Sequence, residues 1–409
     1  MQLFRMNQEI DIDTQAIQIV DVNDDLELHH AVVCDDFSSD EIKAVRGHIK
    51  TLDGKLVCKS FAYTPEILSS NAELVDRFIK PFVEASAAAF TSFEGSLLRV
   101  WCFGDKWWIS THRRIDAFRS RWGSDISYGE LFIQALTRNS LNFDEWTSTL
   151  DKNNIYTFLL RNGRKNRIVC DKYELPEIFL VGTFKRSDEG EFTYIDASVS
   201  NDTKFQSTPR VEYSSLEDII AKVNSSDPKA DQGVVFIDKN GASAKLVNPA
   251  YDKLARLRNN EPSIIAAYAK LRTTEQRAEF LELYSDLVEE FTRFETILDD
   301  ICNNILRKYI NRFIYRRVAI LPPDQYGIMN NIHQMYLQSK RQNQSQKFKV
   351  DLELVRKVVF EQPAGNLVSM WRTYIRREQD FGNGNWVSEE LKQKILSASS
   401  AASAAAKKA

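Results

Sequence analysis

From about residue 41 to 260 the chain alternates short β-rich runs with helical patterns, and after Asn260 the strand signal stops. Val45-Arg46-Gly47-His48-Ile49-Lys50 and Lys55-Leu56-Val57-Cys58-Lys59-Ser60-Phe61 flank Asp53-Gly54, which predicts a hairpin. Ser96 to Phe103 and Lys106 to Thr111 flank Gly104-Asp105 and predict a second one. A helix should start at Ser39-Asp40, with Ser39 as cap and acidic residues in its first turn. Others are expected over Ser70 to Phe90, within 125–150, where Gly129 to Leu136 places apolar groups three and four apart, and over Leu216 to Val223. The stretch up to residue 40 is acidic and short of pattern.

Pro262-Ser263 is the best domain boundary in the chain. Beyond it Phe291, Phe294, Leu298, Ile301, Ile305, Tyr309 and Phe313 continue a three- and four-residue period that runs from Glu279 to Val318. At ~1.5 Å per residue this predicts a helix of roughly 60 Å if it is unbroken. Gln325 to Ser339, Leu352 to Phe360 and Val368 to Arg377 should add partner helices. Ser397 to Ala409 is a low-complexity tail with no means of building a core. The expected division is an acidic segment at 1–40, an α+β domain at 41–260, a helical domain at 261–380 and a tail at 381–409.

Composition changes this picture little. With 43% hydrophobic and 27% charged residues, the chain has ample material for a core. A net charge of −3 gives no global case for nucleic-acid binding, so any RNA site must be a local patch. Five scattered cysteines without C-x-x-C spacing read as reduced thiols of an intracellular, cytoplasmic protein. No apolar run approaches ~20 residues and no signal pattern opens the chain, so neither secretion nor a membrane span is expected. His29-His30 has no spaced third ligand, no metal site is expected, and His333 falls in an apolar helical pattern as a structural residue.

The candidate chemistry centres on Ser92-Phe93-Glu94-Gly95-Ser96-Leu97. This string is similar to a Lys-x-Asp-Gly motif, in which a lysine attacks the α-phosphate of ATP and glycine lets backbone approach the nucleotide. Upstream stand Arg46-Gly47 and Lys59-Ser60-Phe61. Downstream follow Tyr156 to Arg161 with Asn166-Arg167-Ile168-Val169, then Gln232-Gly233-Val234-Val235, then Lys245-Leu246-Val247-Asn248-Pro249-Ala250-Tyr251. Their order resembles the phage-type and large-DNA-virus RNA ligases of the covalent nucleotidyltransferase superfamily, over roughly residues 40 to 260. The resemblance implies an ATP-grasp-like domain of antiparallel sheets flanked by helices, followed by an all-α domain that helps choose the RNA.

Carried over residue by residue, the resemblance places the family's adenylated lysine on Ser92 and its two cleft glutamates on Leu159 and Gln232. Of the two lysines in the last strand, the first is kept as Lys245 and the second falls on Val247. A hydroxyl, an aliphatic chain and a neutral amide cannot form the phosphoramidate or hold a metal. The structural positions Gly95, Phe158, Gly233 and Tyr251 all match. Glu94, Gly95, Arg99, Arg114 and Lys245 are therefore candidates for a remnant nucleotide site. His112-Arg113-Arg114 either grips a phosphate or ends a strand in solvent.

Lys308, Arg312 and Arg316 are spaced four apart, flanked by Arg307 and Arg317, with Lys340, Arg341, Lys347 and Lys349 further on. They form either a phosphate-contacting stripe for RNA or a solvated face at a helix C-terminus.

The expected function is that of a catalytically inactive RNA-ligase-like protein, a scaffold component of a large assembly such as a viral particle, with RNA or nucleotide binding as a retained property. Its partners would be other proteins of that assembly and RNA, its location the cytoplasm or the virion, and no cofactor is expected. The alternative is an active ATP-dependent RNA ligase with a displaced lysine nucleophile, Lys59 or Lys106, using ATP and magnesium.

Overall fold

The computed structural model describes residues 16–161, 166–170, 175–197, 204–341 and 348–381. Lys347 and the tail from Ser397 to Ala409 lie outside the described residues. The chain divides into two compact units, Met1–Pro262 and Ser263–Ala409.

The first unit is built on three sheets. β1 (Ile17–Val22), β2 (Leu26–Ala31), β3 (Arg46–Thr51) and β4 (Leu56–Cys58) form an antiparallel meander in chain order. The two hairpins predicted on Asp53-Gly54 and Gly104-Asp105 both form. β1 and β2 correct the reading of the stretch before residue 40 as patternless. Leu26, Leu28 and Ala31 are buried, and the acidic residues between them occupy turns or the open face. The helix Asp40–Ala44 begins where expected, with the Ser39 hydroxyl accepting from the Ile42 N–H.

The second sheet has the order β11 (Phe192–Asp196), β10 (Glu177–Arg186), β9 (Asn154–Arg161), β7 (Ser96–Phe103), β8 (Lys106–Ser110), all antiparallel. The third has the order β5 (Glu66–Leu68), β13 (Ser243–Val247), β12 (Gly233–Ile237), β6 (Ala88–Ser92), with only β13 and β5 parallel. β6 corrects the helix expected over Ser70 to Phe90. That stretch holds the helices Ala72–Phe78 and Lys80–Glu84, and Ala88 onward turns into strand, where its small residues pair with β12.

Because strand side chains alternate faces, each central strand presents one set to a helical layer and the other to the space between the second and third sheets. Leu98, Val100, Tyr156, Phe158 and Leu160 pack with Phe132, Leu136 and Trp146 of the helices Tyr128–Arg138 and Phe143–Thr147. Val234, Phe236, Ala244 and Leu246 pack with Val75, Ile79, Ile219 and Val223 of the helices behind the third sheet. The intervening residues, Leu97, Arg99, Thr157, Leu159, Val235, Lys245 and Val247, line a cleft. The architecture is thus α+β, with antiparallel sheets flanked by helices and followed by helices alone.

The second unit contains the helices Ile264–Leu271, Arg277–Leu283, Val288–Tyr309, Pro323–Arg341, Leu352–Phe360 and Ala364–Phe381. The predicted apolar period buries Phe291, Phe294, Leu298, Ile301 and Ile305, with Tyr268 stacked on Phe291 at 4.7 Å. The expected 60 Å rod is interrupted by a tight turn at Ser285–Leu287. At its far end it widens into a π turn, Ile310–Ile314. Arg316 then takes a left-handed conformation at φ +56°. Lys308, Arg312 and Arg316 accordingly do not share one helical face, since their spacing of four crosses a wider turn and a chain reversal.

Candidate functional site

The cleft of the first unit encloses about 860 Å³, and the positions named by the motif order meet on its floor. Ser92 ends β6 directly opposite Gly233 in the pairing with β12. Its buried hydroxyl donates to the Gln232 side-chain oxygen at 3.0 Å. Lys245 Nζ donates to the same oxygen at 3.1 Å and to Glu66 Oε1 at 2.7 Å. The Gln232 amide donates to the Tyr251 hydroxyl at 2.9 Å, and Tyr251 donates to Glu94 Oε1 at 2.8 Å. A single chain of hydrogen bonds therefore joins Ser92, Gln232, Lys245, Tyr251 and Glu94.

Glu94 is 9% exposed and its carboxylate faces the protein. It accepts from three consecutive backbone N–H groups, Ile168 at 2.9 Å, Val169 at 2.6 Å and Cys170 at 3.1 Å. The buried Arg258 guanidinium donates to the Arg167 carbonyl of the same segment. Burial, with the Glu94 charge beside it, pushes the Tyr251 hydroxyl far above its ordinary range, so it remains a donor. Glu94 thus fastens the 166–170 segment and does not line the cleft.

Two glycines permit this floor. A Cβ at Gly95 would lie 2.6 Å from the Leu160 carbonyl oxygen, because β7 begins hard against β9. Gly233 has φ +127°, and a Cβ there would meet the Leu246 carbonyl oxygen at 2.2 Å.

Leu159 and Val247 face the cleft as apolar lining. Arg99 also lines it, but its guanidinium is buried and donates to the carbonyls of Gly47 and Thr111, which consumes much of its hydrogen-bonding capacity. Arg114 is not part of the lining. It is paired with Asp21 of β1 at 3.1 Å, and Asp21 also accepts from the Ile115 N–H. Lys59 and Lys106 lie over the rings of Phe184 and Trp108, outside the lining.

The structure adds Arg46, Glu66, Thr157 and Arg256 to the cleft, and of the string His112-Arg113-Arg114 it places His112 in the lining. Arg46 belongs to the arginine-glycine strand and could have been included on that signal, whereas Glu66 and Thr157 carry none in sequence. The Thr157 hydroxyl is buried without a hydrogen-bond partner. The ring of His30 lies with its centre 5.2 Å from that of the cleft-lining His112. Burial and the nearby Arg113, Arg46 and Arg99 push His30 down to about 4. Burial together with Arg46 pushes His112 down to about 3, and burial with Arg99 does the same to His48. All three are neutral donors or acceptors near neutral pH.

The described lining residues offer a divalent metal no uncommitted carboxylate. The positions on which the motif resemblance places two glutamates are Leu159 and Gln232. Among the described lining residues the acids Glu66 and Asp252 are committed to Lys245 and Arg256. Among all described residues no group of three or more His, Cys, Asp or Glu could hold a metal ion. No described helix is long and apolar enough to cross a membrane.

Similar solved structures are nucleic-acid ligases. A Naegleria gruberi RNA ligase mutant with AMP and Mn is 16% identical, covering 47% of this chain and 57% of that one, at a TM-score of 0.35. An archaeal ATP-dependent RNA ligase is 11% identical, covering 69% and 72%, at a TM-score of 0.38. No protein-family model matches the chain.

In sequence the chain is similar to viral proteins. It is 30% identical over 251 residues to the immediate-early protein ICP-46 homolog of Invertebrate iridescent virus 3, covering 60% of this chain and 54% of that protein. The homolog of the same name in Invertebrate iridescent virus 6 is 25% identical over 330 residues, covering 75% and 72%. The match thus spans about half the length of the first relative and nearly three quarters of the second.

Proposed function

We propose that the protein is a ligase-like viral protein that holds a nucleotide phosphate in its cleft without transferring the nucleotide to itself, and serves as a binding or scaffold component of a larger assembly. The observation that carries this reading is the hydrogen-bonded floor, in which Ser92, Gln232 and Lys245 converge on one oxygen. A serine hydroxyl bonded to an amide has no base to activate it. Lys245 donates to the Glu66 carboxylate at 2.7 Å, and that proximity holds the Glu66 carboxyl below its usual range. An ion-paired ammonium carries no lone pair for attack on an α-phosphate. What is left is a cleft whose lining sets Arg46, Arg99, Lys245 and Arg256 against the acids Glu66 and Asp252, a positive balance suited to reversible phosphate binding. The names of the relatives mark those proteins as immediate-early, which favours a cellular binding role over a particle part.

One observation favours a second reading, an active enzyme with a displaced nucleophile. Lys245 Nζ shares its acceptor with Ser92 Oγ, so it is the lysine amine nearest the family's nucleophile position among the described lining residues. Incubation with α-labelled ATP and magnesium decides between them. The expected result is no acid-labile protein-nucleotide adduct, with saturable binding of unlabelled ATP that falls at least tenfold in Lys245→Ala. An adduct abolished in Lys245→Ala would establish the second reading.

A further inference from the structure

The end of the long helix of the second unit carries a feature the cleft does not explain. Between Asp300 and Asp324 the chain contains no acidic residue and five cations, Arg307, Lys308, Arg312, Arg316 and Arg317. Two ion pairs of this unit, Arg272 with Glu295 and Arg356 with Asp299, lie elsewhere. A protein of net charge −3 therefore concentrates unneutralised positive charge at one point.

The backbone there is shaped in an unusual way. The Tyr315 N–H bonds back to the Ile310 carbonyl at 3.0 Å, closing the π turn. The Arg317 N–H then returns to the Asn311 carbonyl at 2.8 Å across the left-handed Arg316. Glycine usually fills such a C-terminal position, and π turns and left-handed non-glycine residues gather at functional sites. The turn is braced from within. Phe313 stacks on His333 at 3.7 Å and 12°, and Tyr309 shares a hydrogen bond with His333 Nδ1 at 3.2 Å. The result is a rigid knob that leaves Ile314, Tyr315 and Val318 exposed by 63%, 62% and 63%. The Arg317 guanidinium lies 5.6 Å from the centre of the Tyr315 ring.

We propose that this knob binds single-stranded nucleic acid, with phosphates on Arg307, Arg312, Arg316 and Arg317 and a base stacked on Tyr315. An exposed ring among arginines with no carboxylate partner among the described residues is the combination by which single strands are held without sequence readout. A duplex would not offer an unstacked base to Tyr315. Ile314 and Val318 alone would suit a protein surface, but five cations without an acid select a polyanion. The inference does not depend on the cleft and survives if the cleft binds nothing.

The test is fluorescence anisotropy of the full chain with labelled 12-mers of uridine and of deoxythymidine, a 12-base-pair duplex, and polyglutamate of equal charge, each across a salt series. Both single strands are expected to bind more tightly than the duplex. The log-log salt slope should shrink by about 1.4 in Arg316→Ala/Arg317→Ala, since each single-strand phosphate contact adds about 0.7. Tyr315→Ala should weaken binding roughly tenfold at unchanged slope, the range found for loss of one stacked base. Tighter binding of the uridine strand would add recognition of the 2′-hydroxyl, and equal binding would limit the contacts to phosphate and base. Circular dichroism melts of the exposed-site variants check folding. Strand binding that is absent, that is unchanged in both variants, or that polyglutamate matches with the same loss in Tyr315→Ala overturns the proposal.

Discussion

The cleft floor and the knob at the end of the long helix are both polar, yet they treat their polar groups in opposite ways. On the floor, Ser92, Gln232, Tyr251, Glu94 and Lys245 are joined to one another and to backbone. On the knob, Arg307, Arg312, Arg316 and Arg317 are exposed, and the chain holds no acidic residue between Asp300 and Asp324. Internally bonded groups fix a shape, and groups left without protein partners are free to take an outside one. The bonding leaves more adaptable capacity on the knob than on the floor.

The comparison breaks most severely at Glu94. Truncation in Glu94→Ala would strand three backbone N–H groups and the Tyr251 hydroxyl, so a loss of about 3–5 kcal/mol is expected in urea unfolding. A loss below about 1 kcal/mol would mean that the 166–170 segment is held by other contacts.

Acid should come next. His30 and His48 are buried, with folded-state values near 4 and 3 against 6.5 when unfolded. The unfolded chain therefore binds protons that the folded one refuses. Stability should be full above pH 6.5 and decline as pH falls toward those lower values, by about 2 kcal/mol for each histidine at pH 5. Thermal melts of the wild type and of His30→Gln/His48→Gln between pH 5 and 8 measure this. The variant should lose the larger part of the slope, and His112, held near 3 in the same way, should keep the remainder.

The smallest effect sharpens the knob. Left-handed backbone at Arg316 costs about 1 kcal/mol, and glycine's greater unfolded freedom offsets part of the relief. Arg316→Gly should thus raise stability by about 0.5 kcal/mol in the same melts while weakening oligonucleotide binding. A variant that is less stable would show that the turn is not strained.

Much of the fold could be read from the chain because its signals are local. Asp53-Gly54 and Gly104-Asp105 close the hairpins, Ser39 caps its helix, and the apolar period carries through Ile305 into the core. The misreadings occur where local composition competes with pairing. Ala85 to Ala89 is alanine-rich and looks helical, but the partner that makes β6 a strand is β12, far along the chain. The acidic turns before residue 40 mask the alternation of Leu26 and Leu28. At the site, the motif order brought Ser92, Gln232 and Lys245 together on paper, and they meet in space. Glu94's commitment to Val169, Arg114's pairing with Asp21, and Glu66's place beside Lys245 all depend on contacts between distant segments, which no spacing rule contains.

The parallel edge between β5 and β13 bears on how the chain is made. Lys245 and Glu66 are 179 residues apart, and β6 likewise waits for β12. During synthesis, β5 and β6 leave the ribosome long before either strand that completes their sheet. For that interval they present bare backbone edges, with the apolar faces of Ile67, Ala89 and Phe90 uncovered. Translation halted near residue 230 should yield an aggregation-prone nascent chain, and release past Val247 should let the sheet close in one step.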